Sequence, residues 1–486
     1  MSFSVPLLFR GAIIESDAIE YGGRRGGARF TAPDLSKHLD RLVLQRPSAL
    51  AELYDMPFGE IVDFLHQLGQ RLDPAKNTAL QEAFELSRAT SGLSDSILRY
   101  HYNMIPSYFL PEAVRAIAER TIGLDYLEGW VEQPPMGAGS VRIRAIGARA
   151  VHIIAGNVPV VGVTTVIRNA ITRSDAIIKT PSNDPLTTAA VVRTMIDMAQ
   201  DHPITKHVSV AYWKGGDQAI EQHLYDPRRI EKIIAWGGFA GIKHLTQYLQ
   251  PGLDLITLDP KHSGSLIGRE AFADERTLQA VARRLAVDIG AMNQEGCVNA
   301  RVVHVESGSD AEGIKRAERL GQLTFEALKA LPDHLSTPHK AFDGELKAEL
   351  DALSFVDDEY TVFGGKGNEG AIIVSRSEQP VDFARMLACR VANIVPVDDL
   401  ETAIRSVNSY TQTIGIFPDS LKAKLRDRLA YQGAQRLVSL GGAATLMQAP
   451  GPQDGIEPLR RMVKWIVDEN GDGDMLEAQA IVKSAE

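Results

Sequence analysis

VHIIAGNVPVVGVTTVIRNAITRSDAIIKTPSNDP, residues 151–185, carries the pattern that decides the fold. VHIIAG (151–156) is a short apolar run rich in β-branched residues, the composition of a strand. A helical segment follows over about 160–173, and AIIKT (176–180) is a second short apolar run. The alternation continues downstream with helix 187–200, strand VSVAYW (208–213), helix 217–224, strand IIAWGG (233–238) and helix 240–249. Short, nearly unbroken apolar runs between amphipathic helices predict parallel strands covered on both faces. The expected class is therefore α/β, of the Rossmann type that binds nucleotides.

Outward from this unit the texture changes. Upstream, residues 31 to about 130 read as mostly helical. Phe58, Ile61, Val62, Leu65 and Leu68 recur at the spacing of one buried helix face. Asp73-Pro74 predicts the opening of a second helix, and Pro111 stands near the first turn of a third. The first 20 residues look strand-like and loosely packed, and YGGRRGG (21–27) is a basic glycine loop. Downstream, DERTLQAVARRLAVDIG (274–290) predicts a helix, and MNQEGCVNARVVHV (292–305) turns from it into a strand. Residues 310–440 mix helices and strands again, as a second α/β domain would. LRRMVKWIV (459–467) reads as a final helix before a polar tail. The expected division is a helical N-terminal region (1–130), a cofactor-binding domain (131–265), a catalytic domain (266–440) and a C-terminal segment (441–486). That segment returns to the cofactor domain or makes an oligomer contact.

Composition narrows the function classes. The 486 residues are 44% apolar and 23% charged, with a net charge of −10. That balance argues against a general nucleic-acid binder, which needs clustered Lys and Arg against phosphate. No run approaches the roughly 18 apolar residues of a membrane span, and no signal peptide is readable, so a cytoplasmic setting is expected. The two cysteines, Cys297 and Cys389, are too few for a disulfide framework. No metal site is expected: the pair His202 and His207 is interrupted by Pro203.

A few residues have the chemistry of a site. Cys297 follows Gln294-Glu295-Gly296, and a glycine before the thiol leaves the approach to sulfur open. A thiolate there is a strong nucleophile, although a free cysteine is most often a buried structural thiol. Cys389, flanked by apolar residues, reads as structural. Asn157 lies just past a strand, where ligands bind in doubly wound sheets, and its amide can donate to an oxygen gaining charge. Lys179 ends the next strand. Gly237 and Gly238 end a later one before a helix, where a cofactor can approach the backbone. Each has an ordinary structural alternative: an Asn shaping its own turn, a solvated Lys, a plain strand-to-helix turn.

Together and in order, these stretches resemble the aldehyde dehydrogenase superfamily. GNVPVVGVTTVIRNAITRSDAIIKTPSNDP is followed by AWGG, PKHSGSLIG, NQEGC and IVPVDDLETAIRSVNSYTQTIGIF. HIIAGNVP, IIKTPSNDP and DGIEPLRRMVKW resemble in particular the LuxC-type acyl-CoA reductases of bacterial luminescence. The resemblance implies that Cys297 is the nucleophile and that Asn157, with the Cys297 backbone N–H, holds the oxyanion. It implies Lys179 at the adenosine ribose and Gly237-Gly238 beside the cofactor phosphates. It further implies a homo-oligomer and an acyl-transferring partner protein.

Three departures refine the expectation. Thr257 stands where hydrolytic relatives carry the glutamate that activates water, which favours thioester chemistry over aldehyde oxidation. Ser182 stands where NAD-preferring relatives carry a carboxylate, so the site admits NADPH, with NADH possible. ARMLACRVANIVP (384–396) has no acidic residue for a second ribose contact. The expected activity is NAD(P)H-dependent reduction of an acyl-CoA, long-chain by resemblance, to aldehyde through a Cys297 thioester. Two alternatives stay open: a non-acylating aldehyde dehydrogenase using another base, Glu295 or Glu369, and a non-redox acyl-binding protein.

Overall fold

The computed structural model describes residues 3–22, 28–134, 139–258, 261–356, 358–445 and 451–471. Most of the glycine loop at 21–27 lies outside the described residues, as does the pair after Leu258.

The opening stretch folds as its pattern demands. Arg149–Ile153 and Asp175–Lys179 are parallel neighbours, in register from Arg149 opposite Asp175 to Ile153 opposite Lys179. Val151 and Ile178 are fully buried, as expected of strands covered on both faces. The helix between them, Val160–Thr172, is stopped by Arg173 in the left-handed region at φ 50°. That conformation costs a non-glycine residue about 1 kcal/mol or more. It is held by the buried guanidinium, which donates to Met56 O at 2.9 Å and to Glu128 at 2.6 Å.

The first sheet has seven strands. Asp254–Leu258, Lys232–Trp236, Arg149–Ile153, Asp175–Lys179 and Val208–Ala211 lie side by side and parallel, followed by antiparallel Leu7–Phe9 and Ala12–Ile14. The chain runs outward on one side of Arg149–Ile153 and then returns to its other side. That reversal opens a crevice beyond the strand ends at Ile153 and Trp236. The N-terminal strand departs from the sequence expectation of loose packing. Leu7 and Leu8 are buried because the strand closes the sheet against Val208–Ala211. Arg10 just beyond it reaches Asp175 at 2.6 Å, and His207 bridges Asp175 and Glu52 at 2.9 Å each.

The helices Phe58–Arg71, Thr78–Thr90, Asp95–Met104 and Pro111–Thr121 pack on the first sheet and share one apolar core with it. All five residues of the predicted helix face are buried. Asp73-Pro74 does not itself open a helix. Asp73 makes a turn, and Asn77 caps the next helix by accepting the Leu80 N–H.

A second seven-stranded sheet follows in the order Tyr360–Gly364, Ala371–Ser375, Val391–Pro396, Ala300–Val305, His262–Ile267, Thr411–Phe417 and Arg436–Ser439. All its pairings are parallel except the first. The predicted final helix departs from expectation. Pro458–Met462 is helical, but Lys464–Asn470 is a strand antiparallel to Ser140–Ile146. The Trp465 indole donates to Arg460 O at 2.9 Å, so pairing with a distant strand overrides a helical local pattern.

Candidate active site around Cys297

The loop before Cys297 is strained and heavily buttressed. Helix Glu275–Gly290 ends, and Met292, Asn293 and Gln294 then take φ values of 54°, 53° and 65°. Three successive left-handed residues cost about 1 kcal/mol or more each and persist only when their surroundings over-determine them. Side-chain amides do this. Asn293 accepts the Thr337 N–H at 2.8 Å. Gln294 donates to Ala300 O at 2.8 Å and Val391 O at 2.9 Å, and accepts the Val391 N–H at 2.9 Å. Asn299 accepts the Gly296 N–H at 3.0 Å and donates to Asp288 O and Ala291 O. Cys297 thus sits on a fixed turn between helix Glu275–Gly290 and strand Ala300–Val305, as the sequence predicts.

Cys297 is half-buried. Burial pushes the thiol up, the Gln412 N–H pulls it back, Asp454 pushes it up and Arg301 pulls it down; the net shift is upward. Gln412 Nε2 stands 3.2 Å from Sγ and also donates to Asp454 at 2.5 Å. The Ser263 hydroxyl donates to Cys297 O at 2.6 Å and fixes the peptide from the other side.

Asn157 reaches the same loop. Its Nδ2 donates to Glu295 O at 3.0 Å, while its Oδ1 is buried without a hydrogen-bond partner. A primary amide has two N–H groups, so one remains for an oxygen beside Cys297. The Glu295 side chain points into a separate contact, 3.0 Å from His339 Nε2. Burial works against the charged ring, but contacts with Cys389 and Glu295 outweigh it and hold the imidazole above its usual range. A Cβ on Gly92 would lie 2.8 Å from Glu295 Oε1, so this pair is closely covered. Glu369 accepts the Lys366 N–H in its own turn and lies beside Arg390. Both carboxylates named as alternative bases are therefore engaged in structural contacts.

The remaining predicted residues line the ends of the first sheet. Lys179 Nζ lies 5.9 Å from the Tyr212 ring and 5.4 Å from the Trp213 ring. Burial pushes its ammonium down to about 8, against the pull of Glu221. Ser182 hydrogen-bonds Tyr212 across the same strand ends. Gly237 and Gly238 flank the crevice after Lys232–Trp236. A Cβ would meet nothing within 4 Å at Gly238, and only Ile242 at 3.9 Å from Gly237. This open backbone turn, the buried lysine and the serine fit a dinucleotide laid across the strand ends. Thr257 lies on the sheet's edge strand, paired with Ala235.

The structure thus joins Cys297 and Asn157 through Glu295 and puts Lys179 and Ser182 together around Tyr212. Gln412, Asp454, Ser263, Arg301 and His339 were not recognised from sequence. Gln412 and Asp454 fall inside stretches that carried the resemblance, but nothing local distinguishes an amide or carboxylate that reaches a distant sulfur. Among the described residues, no cluster could hold a metal ion, and no helix is long and apolar enough to cross a membrane.

Comparison with known proteins identifies the family and the fold. Residues 53–465 match the family described as acyl-CoA reductase (LuxC). A long-chain acyl-protein thioester reductase of Aliivibrio fischeri is 29% identical over 480 residues, covering 96% of this chain and 94% of the relative. One from Vibrio harveyi is 26% identical over 421 residues, covering 86% and 84%. Among solved structures, the NADP-dependent glyceraldehyde-3-phosphate dehydrogenase of Bacillus halodurans superposes with TM-score 0.71 at 15% identity, over 96% of this chain and 99% of that one. Lactaldehyde dehydrogenase of Escherichia coli gives TM-score 0.71 at 13% identity, over 96% and 99%. The fold is that of the aldehyde dehydrogenases.

Proposed function

The chain belongs to the acyl-CoA reductase (LuxC) family, and from that premise we propose that it reduces a long-chain acyl thioester to the aldehyde using a reduced nicotinamide cofactor. The observation that carries this reading is the Cys297 turn, with a half-buried cysteine, the Asn157 amide donating to the Glu295 carbonyl two residues before it, and both Glu295 and Glu369 held in other contacts. The acyl-CoA expected from sequence widens to an acyl thioester, because the relatives' names specify an acyl-protein donor.

The chemistry follows from the side chains. Cys297 Sγ attacks the thioester carbonyl carbon, and the Asn157 amide with the Cys297 N–H bears the charge gathering on oxygen. The C–S bond to the donor breaks, the donor thiol leaves with a proton, and the acyl group stays on Cys297 as a new thioester. When bound across Lys179, Ser182 and Gly237-Gly238, the cofactor supplies a hydride to the acyl carbon. The same donors then hold the oxygen until the C–S bond to Cys297 breaks, aldehyde leaves and the thiolate is restored. Hydrolysis competes poorly: Thr257 cannot act as a base, and Glu295 is committed to His339. NADPH is the preferred cofactor on this reading, because Ser182 puts no carboxylate against a 2′-phosphate.

The test is cofactor oxidation by the purified protein with acyl-CoAs of graded chain length and with an acylated carrier protein, each with NADPH and NADH. Aldehyde formation with either donor class, lost in Cys297→Ser, supports the proposal. Dinucleotide binding without reduction of any thioester would overturn it. Fast acid formation from aldehyde without added thiol would instead identify a non-acylating dehydrogenase.

A further inference from the structure

The C-terminal turn at Gln453–Ile456 inserts between the two large sheets. Gln453 and Ile456 exchange backbone hydrogen bonds of 2.7 Å and 3.0 Å, and Asp454 between them takes φ 53°. On the cofactor side, Arg168 from helix Val160–Thr172 donates to Gln453 Oε1 at 3.2 Å and stacks over Trp236 at 5.6 Å. Trp236 is the last residue before Gly237-Gly238. On the catalytic side, Asp454 accepts Gln412 Nε2 at 2.5 Å, and the same nitrogen stands 3.2 Å from Cys297 Sγ. Gln412 is only 5% exposed, so its amide has few other partners to turn towards.

An amide has two faces, and which one meets sulfur matters. The nitrogen stabilises a thiolate by donating, whereas the oxygen repels it. Asp454, as an acceptor, holds the nitrogen end towards both groups. We propose that Asp454 is a positioning residue for the nucleophile, fixing the Gln412 amide so that its N–H faces Cys297 Sγ. The proposal rests on Cys297 being the nucleophile, as proposed above, and adds a residue set outside both sheets. Asp454 has two opposed effects on sulfur. It orients a donor, which favours thiolate, and it brings a negative charge, which disfavours it. The other charged groups facing the sulfur are Arg301 on Ala300–Val305 and Arg436 on Arg436–Ser439, while Glu295 is paired with His339.

The opposition makes the role measurable. The readout is the rate of iodoacetamide alkylation of Cys297 against pH, resolved from Cys389 by peptide mass spectrometry on the full chain. Asp454→Asn keeps an acceptor and removes the charge, so alkylation at neutral pH should speed up by about two- to tenfold, with its midpoint at lower pH. Asp454→Ala removes the same charge but also releases the amide; on this proposal the lost N–H outweighs the lost charge, so alkylation should slow below the wild-type rate. In a Gln412→Ala background there is no amide to orient, and Asp454→Ala should then speed alkylation by removing charge alone. Both Asp454 variants moving the rate in the same direction, or Asp454→Ala acting alike in both backgrounds, overturns the proposal. A purely structural turn would give that result. If Asp454→Ala fails to fold, the Asn variant still decides, since an unchanged or raised midpoint rejects the idea. Should wild-type Cys297 take no acyl group from any thioester, the functional reading fails while these alkylation rates still settle what Asp454 does.

Discussion

Cofactor binding should take up a proton at Lys179, and its affinity should therefore fall at alkaline pH. Burial beside Tyr212 and Trp213 pushes this ammonium from 10.5 down to about 8. The sign follows from which form is costly. A depressed lysine pKa means that the folded protein resists the charged form, so its stabilising contribution is present above the unfolded value and lost as pH falls through about 8. A phosphate or ribose oxygen arriving at Nζ reverses the balance by favouring the charged form. With a free-state pKa of about 8, about nine-tenths of Lys179 is charged at pH 7 and about one-tenth at pH 9. If the complex holds the ammonium fully charged across that range, the dissociation constant rises about tenfold, or about 1.4 kcal/mol. The assay is quenching of protein fluorescence by NADPH across this range, with calorimetry in buffers of different ionisation enthalpy to count the proton. Lys179→Arg, charged throughout, should flatten the profile, and Lys179→Met should weaken binding while also flattening it. A profile that is flat in the wild type, or equally steep in Lys179→Met, refutes the assignment of the proton to this lysine.

Three other perturbations have defined outcomes. Asn157→Ala removes a donor from the reacting oxygen and should lower kcat by about 10²–10³-fold with little change in KM, measured by aldehyde release. Asp184, buried against Thr187 and Ser87, has its carboxyl pushed up by burial to about 6 from 3.8. Its stabilising contribution is complete below about 4 and lost as pH rises through about 6, so Asp184→Asn should add about 3 kcal/mol at pH 8 and nearly nothing at pH 4, read from urea midpoints. Asn299→Ala deletes three buried hydrogen bonds that hold the Cys297 turn. It should cost about 2–4 kcal/mol in unfolding experiments and lower activity further than that loss of stability explains.

How much was legible beforehand follows from the range of the forces involved. Residues 151–185 declared their strands and helix because burial on two faces leaves a local, periodic trace. The face of Phe58–Arg71 was readable for the same reason. The end of the chain was not, because Lys464–Asn470 becomes a strand only by pairing with Ser140–Ile146, more than three hundred residues away. Leu7 and Leu8 looked loose because three apolar residues carry no period; their burial comes from the free edge of a sheet built much later in the sequence.

The site divides along the same line. Cys297, Asn157, Lys179 and Gly237-Gly238 lie at strand ends or at a helix-to-strand turn, where doubly wound sheets bind ligands, so sequence order alone could nominate them. What surrounds the sulfur obeys no such rule. Gln412 lies on a strand of the second sheet and Asp454 on a turn after it, and Asp454 reaches Gln412 only because the C-terminal turn is held from the first sheet by Arg168 on Gln453. The backbone strain at Met292–Gln294 was equally silent, since no residue there is a glycine; the amides of Asn293, Gln294 and Asn299 hold it in place. Topology can thus nominate Cys297 as a candidate nucleophile from local sequence, whereas the surroundings of its sulfur depend on contacts made between distant segments. That division explains why Thr257, read as a missing base, could direct the expected chemistry without revealing what surrounds the thiol.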